Sequence, residues 1–387
     1  MLQVFIESGG CNMEVELQKL LSERKYQWDY IPEFEKECGY EDIIDDLNVT
    51  VPHEFRALSQ AEQEKLLDEQ LAKIRDINVF PVFYFNEQGV RNEILKVMQK
   101  DVYFDGDNLI TQSSLGLLLL DYLFPNLHHA KTWNLDDCVY DRFYNDDKLK
   151  ACLKRFMEHY VFENLRTPFF MYARFFWNAP TNYLPMRAKA IYEKFCPKDG
   201  IIYDYSCGYG GRMLGALCSS NNYKYIGCEP NKDTFANLKY LGYEIEKVTG
   251  KHATHQLFNC CSEDMVLPEG SVDFAFSCPP FYALEIYSDE ETQSINKFKT
   301  YNEWLEGYMR PTIRNIYKSL KINGKFGIDI ANFYYKAKKY FFVDDVIRIA
   351  KEEGFHYDKP YPIISRNRKL MDNLHDIECV HIFVKEE

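Results

Sequence analysis

The stretch Ile201–Gly215, IIYDYSCGYGGRMLG, decides how this chain is read. Three apolar residues, Ile201, Ile202 and Tyr203, predict a short buried strand that ends on a carboxylate, Asp204. Gly208, Gly210 and Gly211 then predict a tight turn, since glycine tolerates positive φ and lets backbone N–H groups approach a ligand. A helix opening at Arg212 places its positive end behind that turn, favouring a polar or anionic group. Outward from this stretch the pattern alternates strand and helix, as in a parallel sheet with crossovers. Strands are expected at 201–204, 224–229, 255–260, 272–277, 324–330, 360–365 and 377–385, with helices such as Asp233–Gly242 and Tyr301–Leu320. Asn323-Gly324 predicts a turn ahead of the fifth strand. Glu229 closes the second strand, near the spacing expected of an acid that holds ribose hydroxyls. Met213 stands where a dinucleotide fingerprint needs its third glycine.

Two further features stand beside the glycine turn: Glu229, and the sequence Cys278-Pro279-Pro280-Phe281 after the fourth strand. Together they resemble the class I S-adenosylmethionine-dependent methyltransferases, in particular the DNA N4-cytosine and N6-adenine amino-methyltransferases. The resemblance covers roughly residues 166–385. It implies a Rossmann-like α/β fold with a seven-stranded sheet whose final hairpin is antiparallel. It implies S-adenosylmethionine as cofactor, with Asp204, Gly208 and Gly210 toward its methionine part, Glu229 on the ribose and Glu263 beside the adenine, Asp264 being the alternative. Phe169, in Thr167-Pro168-Phe169, is expected to touch the methionine end. The substrate would be an exocyclic amino group of a base in nucleic acid, DNA first. Cys278, Pro279, Pro280 and Phe281 form the catalytic turn in this reading. The side chain at 278 and the Pro279 carbonyl aim acceptors at the amine, and Phe281 stacks on a flipped base. Tyr282, Glu285, Tyr287 and Arg368 are the substrate contacts expected around it. The loop from Tyr282 to Lys299 resembles a stretch in phage-type and restriction-associated enzymes.

Cys278 departs from that family, which has Asp, Asn or Ser there, because sulfur is a weak acceptor. Backbone carbonyls could replace it, the nucleophile could differ, or the chain could bind cofactor without turnover. RNA guanine, a protein glutamine amide and a non-catalytic subunit therefore stand as alternatives.

Composition sets outer limits. The chain has 387 residues and a net charge of −13. Residues 1–150 carry 15 basic and 29 acidic residues, so all of the excess negative charge lies in front. An acidic surface repels phosphate backbones, and this one is a candidate contact for a basic protein partner. The domain reading is an acidic, mainly helical region over 1–160 and a catalytic domain over 161–387. In front, helices are expected at 13–25, 113–123 and 146–162, a Ser59-x-x-Glu62 capping box, and an edge strand at 78–86 limited by Pro81. No apolar run is long enough for a membrane span. Twelve cysteines include no Cys-x-x-Cys pair, so no zinc site is expected and the thiols read as reduced in a cytoplasmic protein. His128-His129 is adjacent in sequence and has poor metal-ligand spacing.

Overall fold

The computed structural model describes residues 10–28, 52–109, 113–159, 179–363 and 374–387. Phe169 and Arg368 lie outside them. The apolar runs assemble into one sheet. Its strands are β1 (Ile201–Asp204), β2 (Lys224–Cys228), β3 (His255–Phe258), β4 (Val272–Ser277), β5 (Leu320–Ile330), β6 (His356–Pro362) and β7 (Cys379–Val384). Their order is β6-β7-β5-β4-β1-β2-β3. Only β7 runs antiparallel to its neighbours; the pairings of β1 with β2 and β4, β2 with β3, and β4 with β5 are parallel. This is the Rossmann-like seven-stranded sheet expected. The chain reverses direction across the sheet between β1 and β4, and ligands sit beyond the carboxyl ends at such a point.

Alternation along the strands loads two cores. Ile202, Phe274, Phe276, Val380 and Ile382 point to one face. Tyr203, Ala275, Phe326, Ile328 and Phe383 point to the other, against the helices Arg310–Ser319 and Phe342–Glu352. The first face is covered partly by the front of the chain. Val90, Ile94 and Val97 of the helix Glu87–Gln99, and Leu119, Leu120 and Leu123 of the helix Leu117–Leu123, share one core with Met186, Leu214 and Leu241. A third core is built from buried residues of the front, Phe55, Leu67, Ile74, Phe143, Leu149 and Phe156 among them. The front region is therefore divided between a core of its own and the core of the sheet.

Lys189 joins the two parts. Its buried ammonium donates to the carbonyls of Val97 (3.1 Å), Met98 (3.0 Å) and Lys100 (2.8 Å). These carbonyls end the helix Glu87–Gln99 and lack intrahelical donors, so a cation there satisfies both the hydrogen bonds and the helix dipole.

Three local expectations need correction. Residues 78–86 form no strand of a sheet; Val79, Phe80, Val82 and Tyr84 are buried among the front helices, and Phe85 lies in the sheet core. The Asn323-Gly324 turn falls inside β5, not before it. Asn323 takes φ 62° and the pairing with β4 jumps from Val272–Leu320 to Phe274–Lys325, a bulge of extra residues on β5. The expected single helix over 301–320 contains a π-turn at Leu305–Met309. Pro311, which has no N–H to continue the ladder, follows it closely. The Ser59–Glu62 capping box is present. His128 is buried in the core and its Nε2 lies 2.9 Å from the Asp121 carbonyl. Among the described residues no helix is long and apolar enough to cross a membrane.

Candidate active site

The carboxyl ends of β1, β2 and β4 open into a cavity of about 850 Å³. It brings together the two sequence signatures, which are far apart along the chain. Gly208 and Glu229 line one part, Cys278, Pro279, Pro280 and Phe281 another, and Glu263, Glu285 and Tyr287 complete the wall.

Glu229 is held from behind. Its Oε2 accepts the Gly208 N–H (2.9 Å) and its Oε1 accepts the Asn231 N–H (3.0 Å). Gly208 has φ 55°, which turns its N–H toward that carboxylate. Burial pushes the Glu229 carboxyl up to about 7, against the pull of those two N–H groups. A carboxylate oxygen offers more than one lone pair, so each keeps acceptor capacity for a ligand hydroxyl.

Asp204 and Gly210 do not reach the cavity wall. Asp204 is fully buried, and its Oδ2 accepts from Arg212 Nε (2.9 Å) and from the Tyr225 hydroxyl (2.7 Å). Asp204 thus acts on the site through Arg212, which does line the cavity. Arg212 also donates to the Ser206 carbonyl, fixing the turn. Gly210 has φ 79° and caps the helix Gly211–Leu217; a Cβ there would meet Leu241 at 2.7 Å and Phe124 at 2.9 Å. Its missing side chain makes room for core packing. Gly211 is covered in the same way by the Tyr183 carbonyl.

Glu263 lines the cavity with its side chain 6% exposed, and Lys297 Nζ lies 2.6 Å from its Oε1. Burial pushes its carboxyl up while Lys297 pulls it down. Asp264 is exposed and lies 3.4 Å from the same ammonium. Cys261, Glu263 and Asp264 hold ligand-type atoms within 4.8 Å of one another, but the Lys297 ammonium already supplies their cation.

Burial raises the Cys278 thiol well above its ordinary range, and Asp329 adds to that. At neutral pH it is a thiol, which argues against a covalent nucleophile. Phe281 lines the cavity and packs edge-on to Phe333 and Phe342, with centroids at 6.0 and 5.8 Å. Tyr282 turns away at φ 52° into a cluster with Tyr301, Trp304, Tyr335 and Tyr340. It is therefore a support for the loop and lies off the cavity wall. The Tyr287 hydroxyl donates to Glu285, whose carboxyl is raised by burial.

Two groups of residues, Tyr183 with Asp329 and a segment of the front, escaped the sequence reading; Arg187, a charged candidate in the aromatic stretch before the glycine turn, does meet carboxylates. Tyr183 and Arg187 line the cavity beside Glu378. The Tyr183 hydroxyl donates to Asp329 Oδ2 (2.6 Å), and Arg187 lies 3.6 Å from Glu378 and 4.0 Å from Asp329. Burial and the nearby Glu378 push the Asp329 carboxyl up; Arg187 opposes them. The position of Asp329 at the carboxyl end of β5 was the available signal. The second group comes from the front. Lys131–Thr132 pairs antiparallel with Glu285–Ile286, and the Trp133 N–H donates to the Leu284 carbonyl (2.9 Å). Thr132, Trp133 and Asn134 thereby enter the cavity wall. No side-chain pattern signals that pairing, because backbone groups make it.

The site and the strand order define a Rossmann-like sheet with a ligand cavity at its switch point. No protein-family model matches the chain, and no curated protein matches it. Among solved structures, the chain is similar to a TehB-like S-adenosylmethionine-dependent methyltransferase from Corynebacterium glutamicum, at 15% identity over 56% of this chain and 97% of that one (TM-score 0.35). It is similar to the 1,6-didemethyltoxoflavin-N1-methyltransferase of Burkholderia thailandensis, solved with S-adenosylhomocysteine, at 10% identity over 52% and 77% (TM-score 0.35). A methyltransferase from Pyrococcus furiosus matches at 14% identity over 52% and 83% (TM-score 0.34).

Proposed function

We propose that this chain is an S-adenosylmethionine-dependent methyltransferase acting on an exocyclic amino group of a base in nucleic acid, DNA first. The observation that carries the reading is one cavity shared by the Gly208–Glu229 pair and the Cys278–Phe281 turn. Its volume falls within the roughly 300–1,000 Å³ of small-molecule sites. The residues fit the cofactor: Glu229 keeps acceptor capacity for ribose hydroxyls, and Glu263, on the same cavity wall, would serve the adenine. When bound, the cofactor supplies a methyl group on a sulfonium.

The chain's own residues supply orientation and proton acceptance. The Pro279 carbonyl accepts from an amino N–H, and the rigid Pro279-Pro280 pair holds it in place. Phe281 offers its ring to the base. Cys278 lines the pocket as a neutral thiol. Glu285, on the cavity wall with the Tyr287 hydroxyl donating to it, is the carboxylate offered to the proton that the amino nitrogen sheds. Tritium transfer from labelled cofactor to DNA and RNA tests the reading. Cys278→Ser should keep or raise transfer, and Phe281→Ala should cut it roughly tenfold, since base–aromatic stacking is worth about 1–3 kcal/mol. Cofactor binding without transfer to either nucleic acid refutes the substrate class.

A further inference from the structure

Arg187 stands in the first turn of the helix Pro185–Phe195 and lines the cavity with Cys278 and Glu378. Its side chain is only 16% exposed. A guanidinium carries five N–H donors and keeps its charge, so donors hidden from water need acceptors. The buried Nε has no partner among the described residues. Glu378 and Asp329 flank the group at 3.6 and 4.0 Å, both beyond hydrogen-bond length. Packing and charge hold it instead. Its Cζ lies 5.4 Å from the centre of the Tyr183 ring, and the Tyr183 hydroxyl is fixed on Asp329 (2.6 Å). A fork of donors is thus held in place on the cavity wall and left open.

The sheet order puts that fork on the substrate side. Ser277 pairs with Ile328, and Asp329 with Val380, so Cys278, Asp329 and Glu378 meet at one end of β4, β5 and β7. Glu229 and Glu263 follow β2 and β3, beyond β1. Neighbouring strands lie about 4.8 Å apart, so the three steps from β5 to β2 separate Asp329 from Glu229 by roughly 14 Å. Two carboxylates already balance the guanidinium. A neutral acceptor therefore suits it better than the cofactor's carboxylate or a phosphate, which Glu378 and Asp329 would repel.

We infer that Arg187 selects the base: its fork donates to two adjacent acceptors on the edge that carries the reacting amino group, and that base is cytosine. On its pairing edge cytosine presents amino N4, ring N3 and carbonyl O2 in a row, so a guanidinium can donate to N3 and O2 together. Adenine presents N1 beside its amino group and then a C–H, which leaves one arm of the fork unmatched. Guanine presents an N–H there, a donor facing a donor. A donor left unmatched in a closed site costs binding, and that cost is what discriminates between bases. The inference rests on the nucleic-acid reading of the cavity and narrows it to one amino group.

The test incubates the full chain with S-adenosylmethionine carrying a deuterated methyl group and with unmethylated DNA of mixed sequence or total RNA. The digested nucleosides are read by mass spectrometry. Deuterated N4-methylcytosine is the expected product. Arg187→Met and Arg187→Lys should each lower transfer roughly ten- to a hundredfold, mainly by raising KM for the nucleic acid, since lysine keeps the charge between Glu378 and Asp329 but not the fork. Calorimetry with S-adenosylhomocysteine should give one affinity for the three proteins, showing that the variants are folded and the cofactor end intact. N6-methyladenine or N2-methylguanine as the product overturns the cytosine assignment and leaves the nucleic-acid reading standing. Weaker S-adenosylhomocysteine binding in both variants assigns Arg187 to the cofactor and overturns its role as selector, as does unchanged transfer to cytosine by the variants. No methylated nucleoside from the wild type overturns this inference and the nucleic-acid reading together.

Discussion

Replacing Glu229 by glutamine tests both the electrostatics of the cavity and its ligand. The carboxyl is buried and titrates near 7, against an ordinary value of 4.5. A raised folded value means that the folded state holds its proton more tightly than the unfolded chain. Stability from this group is therefore greatest below about pH 4.5, falls as pH rises toward 7, and levels off above it. At 1.36 kcal/mol per pH unit, the loss amounts to about 3 kcal/mol at pH 8. Glutamine does not titrate, but its NH2 cannot accept the N–H that one Glu229 oxygen accepts, a loss that is the same at every pH. The stability of Glu229→Gln relative to the wild type should therefore rise by about 3 kcal/mol between pH 4.5 and pH 8. The assay is urea unfolding at both pH values, followed by intrinsic fluorescence. Binding should move the other way. Ribose hydroxyls that donate to a carboxylate favour its charged form, so wild-type affinity for S-adenosylhomocysteine should rise from pH 6 to pH 8. The glutamine variant loses the charge assistance and should bind roughly five- to thirtyfold more weakly at pH 8. A stability difference between the two proteins that is the same at pH 4.5 and pH 8 refutes the raised carboxyl. Equal affinity removes Glu229 from the ligand site.

Three other outcomes follow from the packing. Lys189→Met keeps volume but leaves the Val97, Met98 and Lys100 carbonyls without their donor; it should cost about 3 kcal/mol and speed hydrogen exchange across residues 87–99. Cys278 should resist iodoacetamide at pH 8 in the native protein and react once urea unfolds it, as read by mass spectrometry of the peptide; native labelling at the rate of a free thiol would contradict the raised pKa. A chain starting at residue 161 uncovers Met186, Leu214 and Leu241 by removing Val90, Ile94, Leu119 and Leu123, and should aggregate or bind a hydrophobic dye. A monomeric, cooperatively folded product would show that the sheet does not need the front.

What the sequence alone determined is local. The seven strands are written in alternating or continuous apolar runs, because side-chain period and burial are set within a few residues. The glycine turn, Glu229 and the Pro-Pro turn were also readable, since turns need particular backbone angles and ligand chemistry needs particular side chains. Tertiary structure decided the rest. It gave Asp204 to Arg212 and Tyr225, and it assigned Gly210 to packing against Phe124 and Leu241. Both signals looked alike from sequence, because a carboxylate or a glycine beside a turn can serve a ligand or its own fold. The front helices showed amphipathic faces, but not that one set would complete the core of the sheet. The ribbon of Thr132 with Glu285 was invisible for a stricter reason: its bonds join N–H and C=O groups that nearly every residue carries, and only the folded chain selects which of them meet.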